Sequence, residues 1–186
     1  MKKEEDLIWE SYITESPWLI PDMPADINND YEKSTVNDIE NKASLYDKFE
    51  NYNIYIAKKE DENDVYELFF ISQDKLMIYY RYKKYSEYIQ TEMIWNTKDK
   101  KGLFRYVFIN YIIPKFNIVK SDFIMNNSGF EFWKKIFNEY QNRFQFKVVD
   151  ERENYIRPIN SIRDIELAKQ KFNSDNVFSQ FLIQNR

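Results

Sequence analysis

Two stretches of this sequence bring charged residues close enough together to do chemistry. Arg81-Tyr82-Lys83-Lys84-Tyr85 interleaves cations with rings. Single-stranded nucleic acid is held by such a pattern, its phosphates on the basic groups and its bases stacked on the rings. The same residues also suit a hairpin turn with lysine at a sheet edge, where charge discourages edge-to-edge pairing; this plainer reading is favoured. Glu60-Asp61-Glu62-Asn63-Asp64 sets oxygen ligands in series, but it lacks the glycine of a calcium loop and is read as a solvated turn. Asp22, Asp26 and Asp30 are read as surface carboxylates, so no metal site is expected.

What the chain lacks is as informative. Its 186 residues include no histidine and no cysteine, which excludes Ser-His-Asp and Cys-His catalysis, disulfides and thiolate zinc sites. Gly102 and Gly129 are the only glycines, so a Walker loop, a Rossmann fingerprint and a kinase glycine-rich loop are excluded, each needing closely spaced glycines. A net charge of −4 disfavours a nucleic-acid coat protein, which carries a basic excess. Nothing after Met1-Lys2-Lys3-Glu4-Glu5-Asp6 resembles the apolar core of a signal peptide, and no apolar run approaches the roughly 20 residues that span a bilayer. A cytoplasmic protein with no membrane partner is expected. Richness in Asn, Lys, Ile, Tyr and Phe suggests an AT-rich genome, as in many phages.

The elements that must position any site follow from periodicity. Residues 1–50 form a variable N-terminal part, in which Val36, Ile39, Ala43 and Phe49 predict a helix over Thr35–Phe49. From Tyr52 to Trp95 the period is two: Ile54 and Ile56, then Tyr66, Leu68 and Phe70, then Leu76, Ile78 and Tyr80, then Ile89, Thr91, Met93 and Trp95. Short polar turns between them predict an antiparallel meander. Leu103–Ile113, apolar almost all round, predicts a buried helix with Pro114 at its end. A short strand follows at Asn117–Lys120, then an amphipathic helix over Ser128–Tyr140 with Phe130, Trp133, Phe137 and Tyr140 on one face. Phe144, Phe146 and Val148 make a strand, and Ser161 seeds a helix within Arg157–Phe172. The whole reads as one α+β domain over 1–186, a mixed, mainly antiparallel sheet flanked by helices, with a core at 51–150 and a C-terminal extension at 151–186.

This order of elements resembles the GNAT (N-acetyltransferase-like) fold from its second strand onward. Ile118-Val119-Lys120-Ser121-Asp122, Asn126-Asn127-Ser128-Gly129 and Phe132-Trp133-Lys134-Lys135-Ile136 are similar to the family's stretch after its fifth strand, most of all in GNAT-like proteins of phages. The resemblance implies a fourth strand splayed from the fifth, with the pantetheine arm of acetyl-CoA between them. It also implies a turn Gln/Arg-x-x-Gly-x-Gly/Ala that holds the pyrophosphate at a helix N-terminus. In the matching stretch, Asp99-Lys100-Lys101-Gly102-Leu103-Phe104, only Gly102 fits. Phe104 stands where a small residue lets the phosphates approach, and Asp99 adds a carboxylate; Lys98, Lys100, Lys101 and Arg105 act in the opposite direction.

If active, the resemblance implies acetyl-CoA held by Lys100, Lys101, Gly102, Leu103 and Asn126. The general base would be Glu92 or Glu87, and Tyr140 would protonate the thiolate, because Phe132-Trp133 offers no acid. The departures instead favour a non-catalytic GNAT-like binding or regulatory protein with a protein partner and no cofactor, such as a phage accessory or anti-defence factor acting in the host cytoplasm. The alternatives are an active acetyl-CoA-dependent N-acetyltransferase and a structural subunit of a virion or other large assembly. Phe172, Phe178 and Phe181 in the tail either cover an edge of the domain or bury against a second subunit, giving an oligomer through the tail.

Overall fold

Alternation of large apolar with polar residues builds the first half of the molecule. A computed structural model describes residues 33–59, 62–97, 100–122, 127–150, 155–172 and 179–186. Helix α1 (Lys33–Lys42) leads into β1 (Ser44–Phe49), and β2 (Tyr52–Lys58), β3 (Val65–Ser72), β4 (Lys75–Lys84) and β5 (Ile89–Asn96) continue an antiparallel meander. Gln73 and Asp74, both at positive φ, close the β3–β4 hairpin in the backbone hand that matches strand twist. On one face Ile54, Leu68, Phe70, Ile78, Tyr80 and Tyr82 enter the main core; on the other, Ile71, Leu76 and Tyr79 receive Val36 of α1.

The period predicts a helix over Thr35–Phe49, but the helix ends at Lys42 and Ser44–Phe49 is a strand. Pairing with β2 decides this: Phe49 lies opposite Tyr52, and its ring packs 5.3 Å from that of Tyr111. Tertiary contact of this kind overrides weak local propensity.

The second half alternates helix and strand. Helix α2 runs as Leu103–Val107, a π-helical turn Phe108–Ile112, and Ile113–Phe116. Pro114 therefore lies inside the helix rather than at its end. The wider turn just before it, closed by the Ile113 N–H on the Phe108 carbonyl, takes up the misfit of a ring that lacks an N–H. Asn117, at φ 64°, stops the helix. Strand β6 (Ile118–Lys120), helix α3 (Asn127–Tyr140), β7 (Phe144–Asp150), β8 (Tyr155–Pro158), helix α4 (Ile162–Phe172) and β9 (Ser179–Asn185) complete the described chain. Asp164 caps α4, its Oδ2 accepting the N–H groups of Asn160 and Ser161 at 3.0 Å each.

The nine strands of the described residues form one sheet in the order β1-β2-β3-β4-β5-β6-β9-β7-β8. Among the described residues only β5 and β6 are paired in parallel, so the fold is α+β with a large, mostly antiparallel open sheet. The residues expected to form a C-terminal extension supply β9, an interior strand between β6 and β7. Phe181 is fully buried there against Phe130 and Trp133; Phe178 lies outside the described residues. Helices α2, α3 and α4 all cover the Phe181 face of the sheet, where Phe104, Phe108, Phe132 and Trp133 form an aromatic seam between α2 and α3.

Two outcomes follow. Trp133 is 5% exposed and joins both helices to β9, so Trp133→Ala should cost about 3–5 kcal/mol in a urea or thermal melt. The second concerns β1, which is tied to α2 through Asp47: its Oδ2 accepts from Lys115 Nζ at 2.6 Å and from the Tyr111 hydroxyl at 3.0 Å. Lys115 foremost, then the Lys48 N–H, hold the Asp47 carboxyl below the usual carboxylate range. A depressed carboxylate stabilises the fold above its unfolded pKa, and that contribution is lost as the pH falls through the folded one. Amide exchange in β1, measured relative to β4, should therefore accelerate below about pH 4. In Asp47→Asn, β1 should exchange faster already at neutral pH.

Candidate functional site

Strand β6 holds its two neighbours unequally. Toward β9 it is paired at Ile118, Val119 and Lys120, and the contact continues beyond its end. The Ser121 N–H donates to the Phe181 carbonyl at 2.8 Å. The Phe181 N–H donates to Ser121 Oγ at 3.0 Å, and Gln180 Nε2 donates to the Ser121 carbonyl at 2.8 Å. Toward β5 it is paired only at Ile89↔Val119 and Gln90↔Lys120. From Thr91 onward β5 keeps to β4, as far as Ile78↔Asn96. The sheet thus divides at the carboxyl ends of its parallel pair, the place where sheets with parallel strands commonly bind ligands.

A bulge shapes β5 at the division. Tyr82 lies opposite Thr91 and Arg81 opposite Met93, so Glu92 is the extra residue and the side chains beyond it change faces. Sequence alternation puts Ile89, Thr91, Met93 and Trp95 on one face. The bulge leaves Ile89 and Thr91 on the helix side and turns Met93 and Trp95 to the side of α1. Ile94 and Asn96 take the helix side instead. There the Thr91 and Tyr80 hydroxyls share a hydrogen bond of 2.8 Å. Asn96 is 5% exposed, and its Oδ1 is buried with no hydrogen-bond partner.

The residues expected to act do not converge here. Glu92 accepts from Arg81 Nε at 2.9 Å on the α1 side, and Arg81 also binds Glu62. Burial alone would lower the affinity of the Arg81 guanidinium for its proton, but Glu92 and Glu62 outweigh that and raise it. Glu87 is exposed in the β4–β5 turn. Tyr140 packs against Phe144, which lies opposite Asn185, and Asn185 is bonded to Asn117 at the start of β6. Glu92 and Tyr140 therefore sit on opposite faces of the sheet and beyond opposite ends of β6.

The turn before α2 departs equally from expectation. Gly102 adopts φ +74°, a conformation side chains resist. The Leu103 N–H is taken by the Lys100 carbonyl at 3.3 Å, and the Leu103 side chain is buried. Lys100 lies over the Tyr52 ring at 6.0 Å, Arg105 pairs with Glu139 at 2.8 Å, and Lys101 is engaged elsewhere. Lys98, Asp99 and Asn126 lie outside the described residues. Phe104, expected to obstruct the turn, points away from it. It is 1% exposed, with its ring 6.1 Å from Tyr80, 5.5 Å from Phe108 and 5.8 Å from Phe132. As the second residue of α2, it falls on the face that the sheet covers.

The other patterns resolve into structure. Arg81 is held by carboxylates, Tyr82 is buried and Tyr85 stacks on Tyr88 at 4.5 Å, which makes 81–85 part of the β4–β5 hairpin. In the Glu60–Asp64 stretch, Glu60 and Asp61 lie outside the described residues, as do Asp22, Asp26 and Asp30. Glu62 pairs with Lys59 and Arg81. Among the described residues no three metal-ligating side chains gather, and no helix is long and apolar enough to cross a membrane. Sequence reasoning missed Asn96 and Gln180, whose burial depends on the bulge and on the insertion of β9.

Because Phe104 is core, Phe104→Ala should lower stability by about 3–5 kcal/mol, read as a shift in the urea midpoint, instead of clearing the turn. Compared with known proteins, the chain matches no family model and no curated sequence, which leaves its own geometry as the guide to function.

Proposed function

We propose that the chain is a GNAT-like scaffold that works by binding a protein partner and transfers no acetyl group. The order of meander, helix, parallel strand, helix and strand supports the scaffold reading, as does the parting of β5 from β6, in the place of the family's splayed strands. The non-catalytic part rests on one observation: Glu92 and Tyr140, one of the two bases and the acid that the resemblance implies, lie on opposite faces and beyond opposite ends of β6. General acid–base catalysis needs both within hydrogen-bond reach of one reacting centre. The turn adds to this, because the Leu103 N–H and the Lys100 and Arg105 side chains are already engaged inside the protein. A phage accessory or anti-defence factor would suit such a scaffold.

A second reading, an acetyl-CoA-dependent enzyme, draws on the inward ring of Phe104, which takes that side chain out of the turn. Calorimetric titration with acetyl-CoA up to about 1 mM, the top of the usual KM range, separates the two. The expected result is no binding heat and no label transferred from acetyl-CoA to an amine acceptor. Micromolar binding together with transfer would replace the first reading by the second.

A further inference from the structure

We propose that helix α1 is a detachable cover, and that the sheet face beneath it takes an amphipathic helix of the protein partner in α1's place. The inference rests on the partner-binding reading and says which surface and which kind of element meet. Among the described residues, α1 is the one helix that packs on this face. It sends two apolar side chains there, Val36 buried and Ile39 partly so. The face offers more than these two cover. Ile71, Leu76 and Tyr79 are buried on it, whereas Tyr55, Phe69 and Met93 are only partly buried.

The cover is weak by itself. Its ten residues are too few for a helix to hold without packing, and Asn37, Asp38 and Asn41 are poor helix formers. Asn37, Asp38, Glu40, Asn41 and Lys42 are exposed, and Glu40 reaches the sheet at the Tyr55 hydroxyl, which donates to it at 2.6 Å. Beyond Ala43 the chain is held differently. Strand β1 lies in the β2 ladder, and Asp47 is fastened to Lys115 and Tyr111 of α2. Helix α1 can therefore leave about Ala43 while β1 stays. The helix also shows what shape the face accepts, because Val36 and Ile39 stand three apart on one side of it. A partner helix with larger apolar groups at i, i+3 and i+7 would cover Phe69 and Met93 as well, and so displace α1.

Amide exchange and one helical probe test this on the full-length protein. The amides of Asn37–Lys42 should exchange at least about 100-fold faster than those of Phe69–Ile71, as a unit that opens without global unfolding. The probe is a fluorescent, side-chain-stapled peptide of residues 33–43. Tethered α1 competes with it at an effective concentration of about 1 mM. Val36→Ser weakens the tethered copy, so that variant should bind the peptide at least about 10-fold more tightly than the unaltered protein. A peptide carrying the same change should bind neither protein. If the variant does not fold, exchange in the unaltered protein decides alone. Equal exchange in α1 and Phe69–Ile71, or equal peptide affinity for the two proteins, would overturn the cover and leave the partner reading standing. Micromolar acetyl-CoA binding with transfer would remove the partner reading without altering either result.

Discussion

The structure depends on a narrow junction, two parallel register pairs, Ile89↔Val119 and Gln90↔Lys120, that join a five-strand meander to a four-strand second half. A ladder that short holds little by itself, so the burden falls on what lies beneath it. Phe104 and Phe108 of α2 meet Phe132 and Trp133 of α3 across the junction, and Trp133 continues to Phe181 of β9. Tilted and edge-on ring contacts of this kind add to the large apolar area each ring removes from water. With the aromatic seam in place, the two halves can part beyond Gln90 without separating. Each stays with its own antiparallel partner: β5 with β4, and β6 with β9.

Charge inside this sheet is tolerated where it is matched. Arg81 is enclosed between Glu62 and Glu92. Lys120, 7% exposed, lies 3.9 Å from the centre of the Tyr88 ring. Glu67 accepts the Tyr79 hydroxyl at 2.6 Å; burial first, and then that bond, raise the tyrosine's pKa well above its ordinary value. These arrangements convert side chains that look reactive in the sequence into fasteners. Asn96 and Gln180 are different, since each keeps a buried oxygen without a partner, and buried polar groups are otherwise almost always satisfied. Asn96 lies beside the β5–β6 division, and Gln180 braces its β9 side through Ser121.

Much of the fold was legible because its signals are local. Tyr66, Leu68 and Phe70, or Phe144, Phe146 and Val148, alternate so regularly that only a half-buried strand satisfies them. Phe130, Trp133 and Phe137 do the same for a helix. Legibility failed where a partner distant in sequence made the choice. Ser44–Phe49 became a strand because β2 was available to pair with it, and Met93 changed faces because Glu92 bulges opposite Arg81. The site suffered most. A residue's availability depends on what stands across the sheet: the Arg81 beside Glu92 cannot be seen in a linear string, and Phe104, although it belongs to a helix read as buried, has its direction fixed only by Tyr80 and Phe132.

By itself, the sequence determined the element types from Tyr52 to Val148, the aromatic core, and the absence of histidine, cysteine and clustered glycines, which removes whole classes of chemistry. These follow from residue identity and from periods of 2 and 3.6, and both are properties of neighbours along the chain. The tertiary structure alone decided that β9 enters the sheet interior, that β5 and β6 part after two pairs, and which polar atoms are left without partners. Those outcomes depend on pairing between segments about 60 residues apart, such as Ser121 with Phe181, where loop closure and competition among strands, not local preference, set the result.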